Sequence, residues 1–503
     1  MKVLASIGLT LPFAWLLGLH VMDGARVLAL CLVIAFFLKR DALINHSTPP
    51  TLFSFRHYSL WFGAFLTAYL AILGSYLWVR VRTGGHGLDF LIFSQVWQFI
   101  GDTGIPQSSL IGPGIRNFFA HHFSPLYYLP GLLTYLGLKP WVAGIGLHLV
   151  SIGATFVLIY KIARSMGWPR PIAIILTALF ACLPTLRHSV FWSFHDETFA
   201  LPFAVAGWYF YRSKRTILLM ASLIMAIFCK ETMALWAAFF GLMVLVTSHR
   251  DDRAYFESTR WWMVGLILGS IGFLIGYIGL QPFIFQQKFD HVSRIATFRD
   301  LLNIEALMGK AHFLLILIIP VLFLPFLNLR RSWPYLLPSL PFIGMVMVSN
   351  FAEMWKQLNY YGIIPTMGLF LASLEAINLS RPQLIQSINP LKIAAISLVC
   401  CFCWGAKNPT KSVVSSMNQP FLDPGPLATL PLGASMAVSP AAGLFLLDRT
   451  PHLRTLASLL HESMPEFVVV KKGEDLVIPS ETLAHLKPCH PSTVSQWIVL
   501  CKH

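Results

Sequence analysis

Five polar groups interrupt a chain that is otherwise built of long apolar runs: Asp89, His122, His195-Asp196-Glu197, Lys230-Glu231 and Asn359-Tyr360-Tyr361. Ionisable side chains at membrane depth are costly, and where they occur they usually mark a site. Asp89 lies in Gly87-Leu-Asp-Phe-Leu-Ile-Phe-Ser-Gln95. A carboxylate shielded from water at a membrane surface can be tuned to act as a general base; the same residue before an apolar turn also reads as a helix N-cap. His122 follows His121, and adjacent histidines seldom point at one ion, so a polar loop histidine competes with a ligand-binding one. His195 and Glu197, with Asp196 between them, suit a divalent cation such as Mg or Mn. Acidic residues in a helix's first turn, stabilised by its dipole, account for the carboxylates but not for the histidine. At Lys230-Glu231 two apolar runs, 216–229 and 232–247, meet at a charge pair with no loop, where a solvated turn would use Gly, Pro or Asn. Lys230 reads as a compact cation for a phosphate, with Glu231 orienting it or holding a metal. The alternative is an ion pair capping two short helices. Tyr360 and Tyr361 join His122, Lys230 and Glu231 as substrate-binding candidates.

The elements that must position these residues are membrane helices. Of 503 residues, 56% are hydrophobic and 12% charged, and the mean hydropathy is +0.66. A soluble protein of this length cannot hide so much apolar surface. The formal charge of +15 comes without a dense basic run or an RNA-binding signature, which excludes nucleic acid as a partner. Basic residues sit at the ends of apolar runs, the pattern of cytoplasmic anchoring and of contact with anionic lipid.

A bilayer core of roughly 30 Å needs about 20 helical residues. Apolar segments near 4–22, 25–38, 58–79, 141–160, 170–186, 198–211, 216–229, 232–247, 261–280, 311–329, 335–349, 360–378 and 391–407 predict an all-α polytopic membrane protein of about 13 transmembrane helices. Lys39-Arg40, Arg56, Lys161, Arg164, Arg170, Arg212, Lys214-Arg215, Arg250, Arg253, Arg260, Arg330-Arg331, Arg381 and Lys392 fall in alternate loops, which the positive-inside rule makes cytoplasmic. Arg80, Arg82 and Lys288 lie in the other set, so the rule holds as a bias. The segment from Phe123 to Leu138 would invert every later loop if it crossed. Pro125, Pro130, Tyr127 and Tyr128 place it instead as an interfacial or re-entrant helix at headgroup level.

Three regions follow: an N-terminal hairpin and cytoplasmic loop over 1–57, a transmembrane domain over 58–407 with a first outer loop at 80–140, and a small extracytoplasmic α/β domain over 408–503. Lys2 and the apolar run from Leu4 to Met22 resemble a signal peptide, but no small-x-small cleavage site follows, so the hairpin reads as retained. In the last region Pro420, Pro424, Pro426 and Pro431 mark turns, Glu466-Phe-Val-Val-Val470 reads as a strand, and Leu453 to Ser463 reads as a helix. Cys489 and Cys501 form a disulfide or stay as two free thiols. Cys31, Cys182, Cys229, Cys400, Cys401 and Cys403 have no zinc spacing and read as packing residues. The protein is expected in the inner membrane, multi-pass, with a cytoplasmic N-terminus.

Taken together, Leu88-Asp-Phe-Leu-Ile-Phe-Ser-Gln95, His122-Phe-Ser-Pro125, Phe194-His-Asp-Glu197 followed by Ala200-Leu-Pro202, Lys230-Glu231 and Leu432-Gly-Ala-Ser-Met-Ala-Val-Ser-Pro440 resemble the membrane family numbered 2079 among domains of unknown function. That family is similar to the C-type superfamily of membrane glycosyltransferases. Ser94 stands where the family pattern has a second aspartate, Asp196 where it has a proline, and Asn359-Tyr360-Tyr361 where it has His-Tyr. The resemblance implies that Asp89 matches the catalytic base or metal ligand of the first outer loop, and that the donor is a polyprenyl-phosphate sugar rather than a nucleotide sugar.

The leading expectation is therefore a membrane glycosyltransferase acting outside the cytoplasm, with an unknown glycan, lipid or protein as acceptor. Asp89 would be its base, Lys230 would stabilise the departing phosphate, and a divalent ion at His195 and Glu197 would assist. A transporter or flippase of a lipid-linked or anionic solute is the alternative; the absence of an internal repeat and the one-sided placement of the charges count against it. A sensor or scaffold with a partner-binding outer domain is a third reading, since fold resemblance alone proves no activity.

Overall fold

The structure is a computed structural model that describes residues 55–112, 114–192, 194–285, 303–318, 329–350, 353–356, 360–380, 421–423, 425–447, 450, 453–456, 465–471, 486–488 and 496–502. Helices dominate: α1 (Phe55–Arg82), α2 (Leu88–Thr103), α3 (Tyr128–Tyr135), α4 (Pro140–Ser165), α5 (Arg170–Cys182), α6 (Pro184–Trp192), α7 (Asp196–Arg212), α8 (Thr216–Cys229), α9 (Met233–Asp251), α10 (Arg253–Phe285), α11 (Ile304–Ile318), α12 (Leu340–Val348) and α13 (Ile363–Ser380). Among the described residues four of these, α1, α4, α9 and α10, are long and apolar enough to cross a membrane, and the bent pair α5–α6 makes a fifth. Thr216–Cys229, Trp333–Val348 and Ile363–Leu379 are shorter apolar helices. The expectation of about thirteen crossings is not reached among the described residues; the segments 4–22, 25–38 and 391–407 lie outside them.

Local sequence explains where the helices stop. The single span expected over 170–186 is broken: α5 and α6 bend by 62° at Leu183, whose φ of −55° and ψ of 133° are the extended geometry that the following proline imposes. Gly104 closes α2 in the left-handed region at φ 75°, its N–H bonded to Ile100 O, a glycine C-cap. Between α8 and α9, Lys230 is extended (φ −162°, ψ 138°), so the chain turns without a loop.

Burial sorts the helices into inner and peripheral ones. The most apolar windows of α4 and α9 are 56% and 61% buried, those of α1 and α10 only 17%. The inner helices pack closely because glycines let them. A Cβ on Gly144 of α4 would lie 2.4 Å from Trp97 of α2, and one on Gly131 of α3 would lie 2.3 Å from Ile100. At eight residues, α3 spans about 12 Å, far short of a bilayer core. Tyr128 is 43% exposed, whereas Tyr127 is fully buried. The headgroup-level placement expected for both tyrosines therefore fails for Tyr127, whose hydroxyl is drawn inward by Asp196.

The helix ends form two polar layers. At one, Arg212 pairs with Glu375 at 2.6 Å, Lys214 pairs with Asp252, and Arg250 donates to Arg331 O at 2.6 Å. The other holds the connections 83–87, 104–112, 114–127, 194–195 and 230–232 with the first turns of α2 and α7, and Asp89, His122, His195, Glu197, Lys230 and Glu231 lie there.

The loop after α2 holds a short antiparallel pair, β1 (Gln107–Ser108) and β2 (Arg116–Asn117). The C-terminal region is a five-stranded mixed sheet built from β3 (Met436–Val438), β4 (Leu453–Thr455), β5 (Phe467–Lys471), β6 (Leu486–Pro488) and β7 (Trp497–Lys502), in the order β4-β3-β5-β7-β6, with helix α14 (Pro440–Leu446) between β3 and β4. The strand expected at 466–470 is β5. The helix expected from Leu453 is not formed there, because Leu453 to Thr455 pair in parallel with Met436 to Val438. Cys501 is disulfide-bonded, and Cys489 lies outside the described residues. The sheet docks on the first interhelical loop. His86 Nε2 bonds to Pro440 O at 2.8 Å, Leu422 N donates to Arg82 O at 2.8 Å and Lys471 Nζ donates to Thr83 O at 2.7 Å.

Candidate active site

Lys230 and Glu231 do not pair with each other. Consecutive side chains on extended backbone point to opposite sides, and they reach different partners here. Lys230 Nζ donates to Glu197 Oε1 at 2.5 Å, with side chains only 7% and 5% exposed, and lies 6.0 Å from the centre of the Tyr361 ring. Glu231 holds the strap 118–124: His122 Nδ1 lies 3.2 Å from Glu231 Oε1, and Phe123 N donates to Oε2 at 3.0 Å. Ser124 Oγ adds a bond to Cys229 O at 2.8 Å. The far end of α10 grips the same strap, with Tyr277 OH donating to Phe119 O at 2.7 Å and Gln281 donating to Ala120 O. The loop 104–127, the start of α7 and the α8–α9 junction thus meet in one buried cluster.

His195 precedes α7 with extended backbone, φ −142° and ψ 156°. Asp196 accepts from Tyr127 OH. Thr198 Oγ1 donates to His195 O at 2.6 Å and lies 3.3 Å from His148 Nδ1, while His148 Nε2 meets Val190 O at 3.0 Å. Helix α2 covers this group: the ring of Phe93 is 6.1 Å from His195 and 5.7 Å from Tyr127. Asp89 stands in the first turn of α2, after an N-cap at Gly87, so it is not the cap itself. It lies one turn before Phe93 on the same helix face. Tyr360 opens the short turn Tyr360–Gly362 that carries Tyr361; Asn359 lies outside the described residues.

Among the described residues no three His, Cys, Asp or Glu side chains group to hold a metal ion. Glu197 Oε1 is taken by Lys230, but Glu197 Oε2 is buried and makes no hydrogen bond. That oxygen is the donor a cation would find at Glu197. In formal charge the cluster sets three carboxylates, Asp196, Glu197 and Glu231, against Lys230 and a protonatable His122. A cavity of about 10 Å³ lies to one side of it, lined by Arg80, His86, Phe90, His148, Trp192 and Phe194 among others; it has room for about one water molecule and is too small for a substrate.

Several residues of the cluster were not legible as site residues: Tyr127, Ser124, Thr198, His148, Tyr277 and Gln281. Apart from Ser124, which lies in the His122-Phe-Ser-Pro125 motif, the signal was a lone hydroxyl, amide or imidazole inside an apolar run, and hydroxyls there normally bond their own backbone.

A helical bundle with a polar layer at each end and a buried charged cluster in one of them defines a polytopic membrane protein with an internal polar site. The chain belongs to the family described as predicted membrane protein DUF2079, whose model matches residues 86–421. No curated protein matches it by sequence. Its fold is similar to the crystal structure of ArnT from Cupriavidus metallidurans bound to undecaprenyl phosphate, at 11% identity and a TM-score of 0.51, covering 89% of this chain and 98% of that one. The arabinofuranosyltransferase AftD from Mycobacteria aligns at 16% identity and a TM-score of 0.43, covering 80% of this chain and 36% of that one.

Proposed function

We propose that this chain is an integral-membrane glycosyltransferase that moves a sugar from a polyprenyl-phosphate donor to an acceptor. The reaction takes place outside the inner membrane, with the N-terminus in the cytoplasm and the C-terminal sheet on the outer side. The observation that carries this reading is the buried Lys230–Glu197 pair, joined by Glu231 and His122 to the loop after Asp89's helix. A desolvated cation retained among polar loops at the end of a membrane bundle suits an anionic lipid headgroup. The solved ArnT structure of similar fold is described as bound to undecaprenyl phosphate, which favours a lipid phosphate as the leaving group.

In this reaction Asp89 takes the proton of the acceptor hydroxyl. The acceptor oxygen bonds to the anomeric carbon as the bond from that carbon to the donor phosphate oxygen breaks, and the electron pair leaves with the polyprenyl phosphate. Lys230 offsets the charge that develops there. His122, Glu231, Tyr360 and Tyr361 shape the site for the headgroup. The proposal includes Mg or Mn at His195 and Glu197, where the unpartnered Glu197 Oε2 suits a cation; when bound, it would supply further charge neutralisation.

The test is release of polyprenyl phosphate by the purified protein supplied with polyprenyl-phosphate sugars. Turnover is expected, reduced by about a hundredfold or more in Asp89→Asn; full activity in that variant removes the proposed base. Chelation is expected to lower turnover and added Mg or Mn to restore it, and turnover indifferent to chelator removes the ion.

A further inference from the structure

Arg80 sits in the layer that the positive-inside bias reserves for few cations, and the structure gives it work there. It lies in the last turn of α1. Its Nε donates to Gly85 O at 2.9 Å, and Nη2 donates to the same carbonyl. Its Nη1 donates to Phe191 O at 3.1 Å and to Trp192 O. The guanidinium also lies 5.1 Å from the Trp192 ring centre and 5.7 Å from that of Tyr76. Among the described residues it pairs with no carboxylate; its partners are backbone carbonyls from two separate segments.

Those two segments are the ones that lead into the proposed catalytic groups. Gly85 lies four residues before Asp89, on the turn that launches α2. Phe191 and Trp192 are the last two residues of α6, whose terminal carbonyls lack helical partners and carry the negative end of the dipole. Three residues further on, the chain reaches His195 and enters α7. A planar guanidinium can bind carbonyls in two directions at once with fixed geometry, which an ammonium cannot.

We propose that Arg80 is the positioning residue of this site, the joint that registers the loop bearing Asp89 against the segment bearing His195 and Glu197. The proposal rests on the glycosyltransferase reading only for its kinetic consequence. Arg80 contacts no substrate in it: it holds the base at the distance that the transfer needs.

The experiment compares full-length wild type, Arg80→Gln and Arg80→Lys in nanodiscs by backbone amide exchange and by transfer kinetics. Arg80→Gln is expected to raise exchange in 83–88 and 191–196 together by about tenfold or more, with β5 unchanged. It is expected to lower kcat by about 10- to 100-fold with KM within about threefold, as for a displaced catalytic group. Arg80→Lys keeps the charge and is expected to recover part of kcat, with intermediate exchange. Wild-type exchange in both segments of Arg80→Gln overturns the proposal. So does a rise in KM at unchanged kcat, which would make Arg80 a substrate contact. Should Arg80→Gln fail to fold, Arg80→Lys decides: wild-type exchange and kcat in that variant overturn the demand for a fork. Joint loosening of the two segments in a protein that transfers no sugar even as wild type supports the joint and removes the glycosyltransferase reading instead.

Discussion

At the scale of single residues, two sequence neighbours that look like an ion pair serve two different segments, Lys230 the start of α7 and Glu231 the strap before α3. Lys230 belongs to Glu197 and Glu231 to His122. Removing one member of a buried pair leaves the other charge stranded, so Lys230→Gln is expected to lose about 3–5 kcal/mol of stability, while Lys230→Met with Glu197→Leu recovers most of it. Unfolding in mixed detergent micelles measures both; a single variant as stable as wild type would mean that the pair is not desolvated. The charge pair itself was legible at Lys230-Glu231, since nothing else explains a loopless break between apolar helices. Its partners were not, because they are set by the extended backbone at Lys230 and by a strap over a hundred residues away. His86 gives a second prediction. Burial pushes its imidazole down to about 4, against about 6.5 in an unfolded chain. Above pH 6.5 it is neutral in both states and the contact with Pro440 is intact. As pH falls from about 6.5 to about 4, the undocked form takes up a proton that the docked form refuses, and docking of the sheet weakens. Proteolysis of the C-terminal region across that range reads the effect, and His86→Gln is expected to flatten it.

At the scale of elements, apolar length foretold helices α4, α8 and α9 to within a few residues, because lipid burial and helix period act locally. The break at Leu183 was missed, although Pro184 was there to be read, because the hydropathy runs through it. The strand at Leu453 was missed because its partner, Met436 to Val438, is supplied by the sheet and not by local propensity. Close approach of α2 and α4 depends on Gly144. Gly144→Ala drives a methyl into the Trp97 ring, itself packed against Tyr127 and Phe194, and is expected to cost about 1–3 kcal/mol. Gly146→Ala, with nothing within 4 Å, is the near-neutral control on the same helix. Equal effects of the two would mean that the α2–α4 contact is looser than described.

At the scale of the whole molecule, the apolar helices separate two polar layers, one holding the charged cluster and the other the basic-rich helix ends. The segregation was visible in the sequence as alternating loop charge, and Arg80, which departs from that pattern, is explained by the carbonyls it binds. That the candidates gather on one side was read from the alternating loops; which side chains pair there was not, since Lys230–Glu197, Glu231–His122 and Tyr127–Asp196 depend on helices that reverse at Lys230 and bend at Leu183. An outward-facing cluster is what the proposed reaction requires. Single cysteines at Leu88 and Ile115, and one at Arg250, probed on intact cells with a membrane-impermeant thiol reagent against the wild-type background, test this most directly. Positions 88 and 115 are predicted to react from outside and position 250 only after permeabilisation. Reaction of 88 and 250 from the same side, or of 88 and 115 from opposite sides, would contradict it.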